Sequence, residues 1–486
     1  MKILFATSEC APFVKTGGLG DVSAALPPAL SALGQEVSVV LPYYGSVKER
    51  FSGEVSFITS FYVPLAWRHV YCGIFHTQKD GVDYYFIDNE YYFMRGSVYG
   101  DYDDGERYAF FCKACLEMLR YLNYYPDVIH ANDWQCAMIP LFYRGFYQRI
   151  SEYSGIKTMF TIHNMEYQGK VSYDFLKEVL GMDDYYLRYL SFDGCINLMF
   201  SAIVLSDKVT TVSETYAEEV KNPYFGHGLD RVLWGVSYKF CGITNGIDTV
   251  QFDPKTDENL YRKYSTKSMG GKTVGKKKIQ EELGLYQDPD CALMSMVTRL
   301  VAHKGLDLVE RVLDDIMTRR IQMVILGTGD YRFHERLKSF AARYPDKLSV
   351  LLRFDTKMSS KLYAASDLFL MPSKAEPCGL AQMIAMRYGA LPIVRKVGGL
   401  SDTVFPINPE TGEGRGFTFE SYNAHDMLNA VDRALDLYYN DRELFRRIAK
   451  RNMEEDFSWG RSAARYLAIY ESMVANGPEG NWYEIR

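Results

Sequence analysis

Lys15-Thr16-Gly17-Gly18-Leu19-Gly20-Asp21 lies between a short apolar run, Lys2-Ile3-Leu4-Phe5-Ala6, and an apolar helical pattern that ends at Gly34. A strand, a glycine loop and a helix in that order make an anion site. Adjacent glycines let the backbone approach a ligand closely, the helix N-terminus directs free N–H groups and partial positive charge at it, and Lys15 adds a full charge. The commoner glycine loops are excluded: Ser23 stands where a dinucleotide fingerprint would have its third glycine, and no Gly-Lys-Ser/Thr of a P-loop follows. A second copy, Lys396-Val397-Gly398-Gly399-Leu400-Ser401-Asp402, follows another apolar run, Leu391-Pro392-Ile393-Val394, in the other half of the chain.

Outward from these loops, short apolar runs alternate with amphipathic stretches, the pattern of parallel sheets covered by helices. Strands are expected near 2–6, 37–41, 83–87, 127–131, 158–162 and 208–212, then near 292–298, 322–326, 348–352, 368–371 and 391–395. Helices are expected from 305, 330, 359, 379 and 423. Two doubly wound α/β domains follow, with the boundary near Phe240 to Asp248. The next segment, Asn259 to Lys278, carries Gly270-Gly271 and the basic run Lys276-Lys277-Lys278, and reads as solvated surface with no phosphate site.

At 486 residues the chain can bury two or three substantial cores. A net charge of −6 argues against a nucleic-acid binder. The 38 tyrosines suit sugar faces, but so many must mostly be packing. Polar Thr7, Ser8 and Glu9 interrupt the first apolar run too early for a secretory leader, and Ile196 to Leu205 is too short for a membrane span. A cytoplasmic protein with no membrane or nucleic-acid partner is expected. Nine scattered cysteines fit reduced thiols, and Cys112 and Cys115 read as buried groups on one helix.

In open α/β sheets ligands sit beyond the carboxyl ends of the strands. His130-Ala131-Asn132-Asp133-Trp134, Thr161-Ile162-His163-Asn164, Arg299 with Lys304, and Ala375-Glu376-Pro377-Cys378-Gly379-Leu380 all fall there. Singly they have plain readings: Asp21 and Asp133 as helix caps, His163 as a core histidine, Arg299 and Lys304 as a solvated pair. Together they point to a cleft between two domains.

The residue types suggest chemistry on a diphosphate. Two unit charges 4 Å apart interact by about 4 kcal/mol at an effective dielectric near 20, so Arg299, Lys304 and the Lys15 loop could hold a leaving diphosphate without a metal ion. Glu376 precedes Pro377, a favoured first helical residue, so its carboxylate should sit at a positive helix end and stay ionised. Such a group is a poor general acid but a good stabiliser of an oxocarbenium-like sugar. Cys378, Gly379 and Leu380 offer backbone amides beside it.

These motifs, with Thr-Asn-Gly-Ile-Asp at 244–248, occur in an order that resembles glycosyltransferase family five, the bacterial glycogen synthases and plant starch synthases. The resemblance implies the GT-B fold, two Rossmann-like domains facing a central cleft: residues 1–243 on the glucan acceptor side, 244–460 on the sugar-nucleotide side, and a C-terminal helix within 461–486 returning to the first domain. It implies retaining transfer of glucose from ADP-glucose to the 4-hydroxyl at the non-reducing end of an α-1,4-glucan, releasing ADP, with no cofactor and no metal. Domain closure would assemble Lys15 with Arg299 and Lys304.

Carried over by motif, Lys15, Gly17, Gly18, Arg299 and Lys304 bind the diphosphate, with amides from Cys378, Gly379, Leu380 and Ala381. Asp21, Asp133, His163 and Glu376 surround the glucosyl group, with Asn164 on the same side. Asn245 lies near the nucleotide, Phe354 stacks on adenine, and Tyr99 is a cleft tyrosine. Three positions depart from the family: Ala381 and Val397 replace threonines and Asn132 replaces a histidine. None removes an assigned catalytic group. The rival readings are transfer from UDP-glucose or to another acceptor, a metal-dependent transferase of another fold using Asp101-Tyr102-Asp103, and a two-domain sugar-binding protein.

Overall fold

The structure is a computed structural model that describes residues 1–475. The chain forms two compact units: one of Met1–Asn245 with the segment from Trp459 onward, the other of Gly246–Ser458. The sequence places these divisions at 243/244 and 460/461, and the last part of its third segment, 476–486, lies outside the described residues.

The strands of the first unit are β1 (Lys2–Ala6), β2 (Glu36–Pro42), β3 (Ser56–Leu65), β4 (Arg68–Lys79), β5 (Val82–Asp88), β6 (Val128–Asn132), β7 (Lys157–Ile162), β8 (Lys170–Val171), β9 (Ser191–Phe192), β10 (Cys195–Asn197), β11 (Lys208–Thr211) and β12 (Phe240–Gly242). Nine of them form one sheet in the order β12-β11-β7-β6-β1-β2-β5-β4-β3, while β8, β10 and β9 make a small antiparallel sheet. The seven strands from β12 to β5 are parallel. Ile3, Leu4, Phe5 and Ala6 have no exposed surface, as expected where helices cover both faces. From β1 the chain winds outward through β2 to β5 and returns on the other side at β6. The carboxyl ends of β1 and β6 are therefore the switch point of this sheet.

The antiparallel hairpin β3–β4 at one edge is absent from the sequence reading. Most of β3 before Phe61 is exposed on both faces, so apolar Phe57 and Ile58 there mark no inward-facing alternation to read. The helix Trp459–Ala475 belongs to this unit: the Tyr470 hydroxyl lies 2.7 Å from Nδ1 of His130 on β6. Cys112 and Cys115 are free thiols buried in the helix Asp104–Leu122.

The second unit contains β13 (Ala292–Val297), β14 (Ile321–Leu326), β15 (Leu348–Leu351), β16 (Leu368–Met371), β17 (Leu391–Arg395) and β18 (Phe417–Phe419), all parallel in the order β15-β14-β13-β16-β17-β18. Its switch point falls between β13 and β16. Helices begin at Leu306, Tyr331, Thr356, Ala381 and Ala424.

Two expectations are overturned here. Pro377 is not the first residue of a helix: the chain remains irregular until Ala381, because Gly379 takes the left-handed conformation at φ +73°. Nor is Asn259 to Lys278 simply solvated. A helix runs over Gly270–Glu282, and the Lys276 ammonium is buried 2.6 Å from Asp367 Oδ2 and 2.9 Å from the Tyr438 hydroxyl. Lys272 donates to the carbonyls of Ala364, Ser366 and Tyr388, two of which end a helix. Only Lys277 and Lys278 of the basic run are exposed. Among the described residues no helix is long and apolar enough to cross a membrane.

Candidate active site

In the first unit the site grows from the loop after β1. The helix that begins at Gly18 has Gly17 as its N-cap, with no side-chain cap. The amides of Thr16 and Gly17 instead donate to Glu9 Oε2, the latter at 3.1 Å, while the Thr16 hydroxyl donates to Oε1 at 2.7 Å. Glu9 thus folds the glycine loop around a carboxylate of the chain itself. Tyr99 supports it, its hydroxyl donating to Glu9 Oε1 at 2.7 Å and lying 2.8 Å from Ser8 Oγ. The exposed Lys15 ammonium pairs with Asp21 at 2.6 Å. A Cβ on Gly17 or Gly18 would meet nothing within 4 Å, so packing does not demand glycine there and the backbone stays open to a ligand.

Beyond β6, Asp133 sits at φ +60° and caps the short turn Trp134–Cys136, accepting from the Trp134 amide. Burial pushes its carboxyl up to about 8, and Glu9 adds to the rise against the amides of Trp134 and His163. Beyond β7, His163 lies 3.0 Å through Nε2 from Asn132 Oδ1. Asn132 is fully buried and spends its Nδ2 donors on the carbonyls of Ala6 and His130, so Oδ1 must accept. His163 therefore carries its proton on Nε2 and leaves Nδ1 unprotonated and outside that bond. Burial drops its pKa to about 3, so the ring is neutral. Asn164 uses its side-chain oxygen on the Glu166 amide. Asn245, past β12, is buried with an Oδ1 that has no hydrogen-bond partner among the described residues. Asp101 and Asp103, the carboxylates of the metal reading, are paired with Arg107 and Arg95.

In the second unit the switch point is bridged by an ion pair. Lys304, from the turn after β13, donates to both oxygens of Glu376 at 2.9 and 2.7 Å, and Ser373 donates to Oε2 at 2.8 Å. Burial alone would raise the Glu376 carboxyl, but Lys304 and Ser373 override it and hold its pKa below the ordinary carboxylate value. The ionised state expected from a helix end is thus produced by an ammonium and a hydroxyl. Arg299 is exposed and free of side-chain partners among the described residues. Phe354, between β15 and the next helix, is 79% exposed.

The loop carrying Glu376 rests on the second glycine repeat. The Gly399 amide donates to the Glu376 carbonyl, and Gln382 donates to Gly379 O at 2.9 Å and lies 3.0 Å from Thr403 Oγ1. Cys378 is buried, and Leu380 and Ala381 open the helix Ala381–Arg387. Glu9, Ser373 and Gln382 escape the sequence reading. Glu9 alone left a signal there, as a carboxylate three residues past a buried strand.

Each unit therefore gathers most of its assigned residues at or beside the switch point of a parallel sheet, where ligands bind in such folds, whereas Asn245 follows the edge strand β12 and Phe354 the edge strand β15. A family model described as the starch synthase catalytic domain matches residues 2–235, and one described as glycosyl transferases group 1 matches residues 276–452. A glycogen synthase from Clostridium novyi (strain NT) is 46% identical over 478 residues, covering 98% of this chain and 99% of its own. The chain belongs to the glycogen synthase and starch synthase family. A second member, the glycogen synthase of Desulfitobacterium hafniense, is 46% identical over 97% of this chain and 99% of its own. The solved catalytic domain of starch synthase IV from Arabidopsis thaliana, bound to ADP and acarbose, matches with a TM-score of 0.90 at 35% identity, over 98% of this chain and 99% of that one. A sucrose-phosphate synthase from Thermosynechococcus elongatus shares the fold alone, at a TM-score of 0.62 and 17% identity over 98% and 99% of the two chains. This member of the family is a glycosyltransferase of GT-B architecture, which disposes of the sugar-binding protein and of the transferase of another fold.

Proposed function

We propose that this enzyme transfers glucose from ADP-glucose to the 4-hydroxyl at the non-reducing end of an α-1,4-glucan, with retention and without a metal ion or other cofactor. The observation that carries this reading is the Lys304–Glu376 pair: a buried carboxylate kept ionised beside a cation, at the point of the second sheet where a ligand is expected. The relative solved with ADP and acarbose supports a nucleotide diphosphate on one side of the reaction and a glucan-like sugar on the other.

In the proposed reaction the bond from the anomeric carbon to the diphosphate oxygen breaks, and its electrons remain on the diphosphate. Arg299, Lys304 and Lys15 stabilise that charge, with amides from Gly18, Cys378, Gly379, Leu380 and Ala381, while the Gly17 amide stays on Glu9. The Glu376 carboxylate stabilises the positive charge that develops on the sugar. The acceptor 4-hydroxyl forms the new bond on the same face and gives its proton to the departing phosphate oxygen. Asp21, Asp133 and His163 hold the glucosyl hydroxyls, with Asn164 and Tyr99 on the same side. Phe354 is the platform for adenine, and Asn245 lies near the nucleotide.

Initial rates with ADP-glucose and UDP-glucose on a short maltooligosaccharide, with and without EDTA, test the proposal. Acceptor-dependent release of ADP that EDTA leaves unchanged is expected. Equal rates from UDP-glucose would overturn the assignment of the base, and loss of activity in EDTA the metal-free mechanism.

A further inference from the structure

We propose that the second unit carries an additional binding site for a phosphate monoester of a small metabolite, at the end of its sheet opposite Glu376. Asp367 immediately precedes β16 and Glu376 follows it, so the two sites lie at opposite ends of that strand. Beside Asp367 is a cavity of about 330 Å³, within the range of small-molecule sites.

Its wall is strongly cationic in a chain whose net charge is negative. Arg442, Arg446 and Lys450 are spaced four residues apart on the helix Arg442–Glu454, which stacks them on one face. Like charges so placed repel, and none of the three has an acidic partner among the described residues. Lys272 and Lys276 approach from the helix Gly270–Glu282. The single carboxylate of the lining, Asp367, is already engaged by Lys276 and by the Leu293 amide at 2.9 Å. Lys276 answers Asp367, and burial lowers the Lys272 pKa to about 7 while its N–H groups go to three backbone carbonyls, so Arg442, Arg446 and Lys450 are the three cations that the lining leaves unanswered.

Two further features suit a phosphate. The helix Gly270–Glu282 starts at the cavity without a side-chain cap, and a Cβ on Gly270 would meet nothing within 4 Å, so the backbone at Gly270 can be approached by an anion, whereas the Lys272 amide is engaged by the Met269 carbonyl. Arg442 stacks 3.5 Å from the Tyr438 ring centroid and uses one N–H on the Tyr438 carbonyl at 3.4 Å, which fixes the guanidinium while leaving donors for a ligand. Phe445 and Pro289 give the cavity an apolar side, which an organic group on the phosphate would cover. The segment holding Gly270-Gly271 and the lysine run, which reads as plain surface in the sequence, becomes an anion site through what the fold sets opposite it.

The test is calorimetric titration of the full chain at 0.15 M salt with a hexose 6-phosphate, a nucleoside monophosphate and inorganic phosphate. One ester should bind per chain to the wild type and, with the same affinity, to Lys15→Ala, which alters only the donor loop. Binding should weaken at least tenfold in Arg446→Glu/Lys450→Glu, whose exposed positions leave the unliganded melting temperature near wild type. The ester that binds tighter identifies the carrier. Failure of both esters to bind the wild type at millimolar concentration, unchanged affinity in the double variant, or inorganic phosphate binding as tightly as either ester would overturn the proposal.

Discussion

Gly398 stands directly against the carbonyl of Glu376: a Cβ on it would lie 2.0 Å from that oxygen. Its neighbour Gly399 is as close to Cys378, with a built Cβ 2.2 Å from the Cys378 carbonyl oxygen. The second glycine repeat is thus the floor beneath the loop that carries the carboxylate, and its glycines serve backbone packing.

Gly398→Ala should therefore disable the enzyme without unfolding it. The residue sits at φ +45°, and the added methyl must push the Glu376 backbone away. A displacement near 1 Å can cost about 100-fold in rate. Turnover with ADP-glucose, measured beside the circular dichroism spectrum, should show that loss with a native spectrum; turnover within twofold of wild type would refute the packing role.

Lys304→Ala should change the pH profile as well as the rate. With the ammonium gone, burial of Glu376 is opposed only by weaker partners and its pKa rises. In the wild type the lowered native pKa means that ionisation favours folding above the unfolded value, and that contribution is lost as pH falls through the native one. The variant should be less stable, by about 3–5 kcal/mol for a broken buried pair, and its activity should fall on the acid side at a higher pH than in the wild type. An unshifted acid limb would show that Lys304 does not hold the charge of Glu376.

Asp133 has the opposite sign. Its native pKa, about 8, lies above the unfolded value, so its contribution to stability is fully present below the unfolded pKa and lost as pH rises through about 8. Asp133→Asn removes the titration while keeping a side chain that tolerates positive φ. The melting temperature of the variant minus that of the wild type should climb from pH 5 to pH 9, and a flat difference would contradict the burial of this carboxyl.

Phe354→Ala should act on binding alone. Stacking on a base is worth about 1–3 kcal/mol, so the donor Michaelis constant should rise by about 5- to 150-fold. Turnover and melting temperature should stay near wild type, since the ring is 79% exposed and supports no core. An unchanged Michaelis constant would remove Phe354 from the donor site.

The parallel strands and their following helices are legible in the chain because strands buried on both faces are continuous apolar runs. Ile3 to Ala6 and Leu368 to Met371 are such runs. Edge hairpin β3–β4 is not, since the first half of β3 meets solvent on both faces and its apolar residues mark no inner side. Glu376, Lys304 and Lys15 are legible as charges at strand ends, whereas Ser373 and Gln382 look like any loop serine or helical glutamine. Their role depends on which groups they face.

The sequence by itself determined where strands end and which charged and glycine residues gather at those ends, because burial and turn chemistry act over a few neighbouring residues. Tertiary structure alone decided the partners: Glu9 inside the first glycine loop, Lys304 and Ser373 around Glu376, Lys276 on Asp367. It also separated two stretches that are nearly identical on paper. The first follows β1, at the switch point of its sheet, and keeps Gly17 and Gly18 clear of neighbours; the second follows β17, beside a switch point, and spends Gly398 and Gly399 on packing. The same local motif meets solvent in one place and backbone in the other, and only strand order sets which.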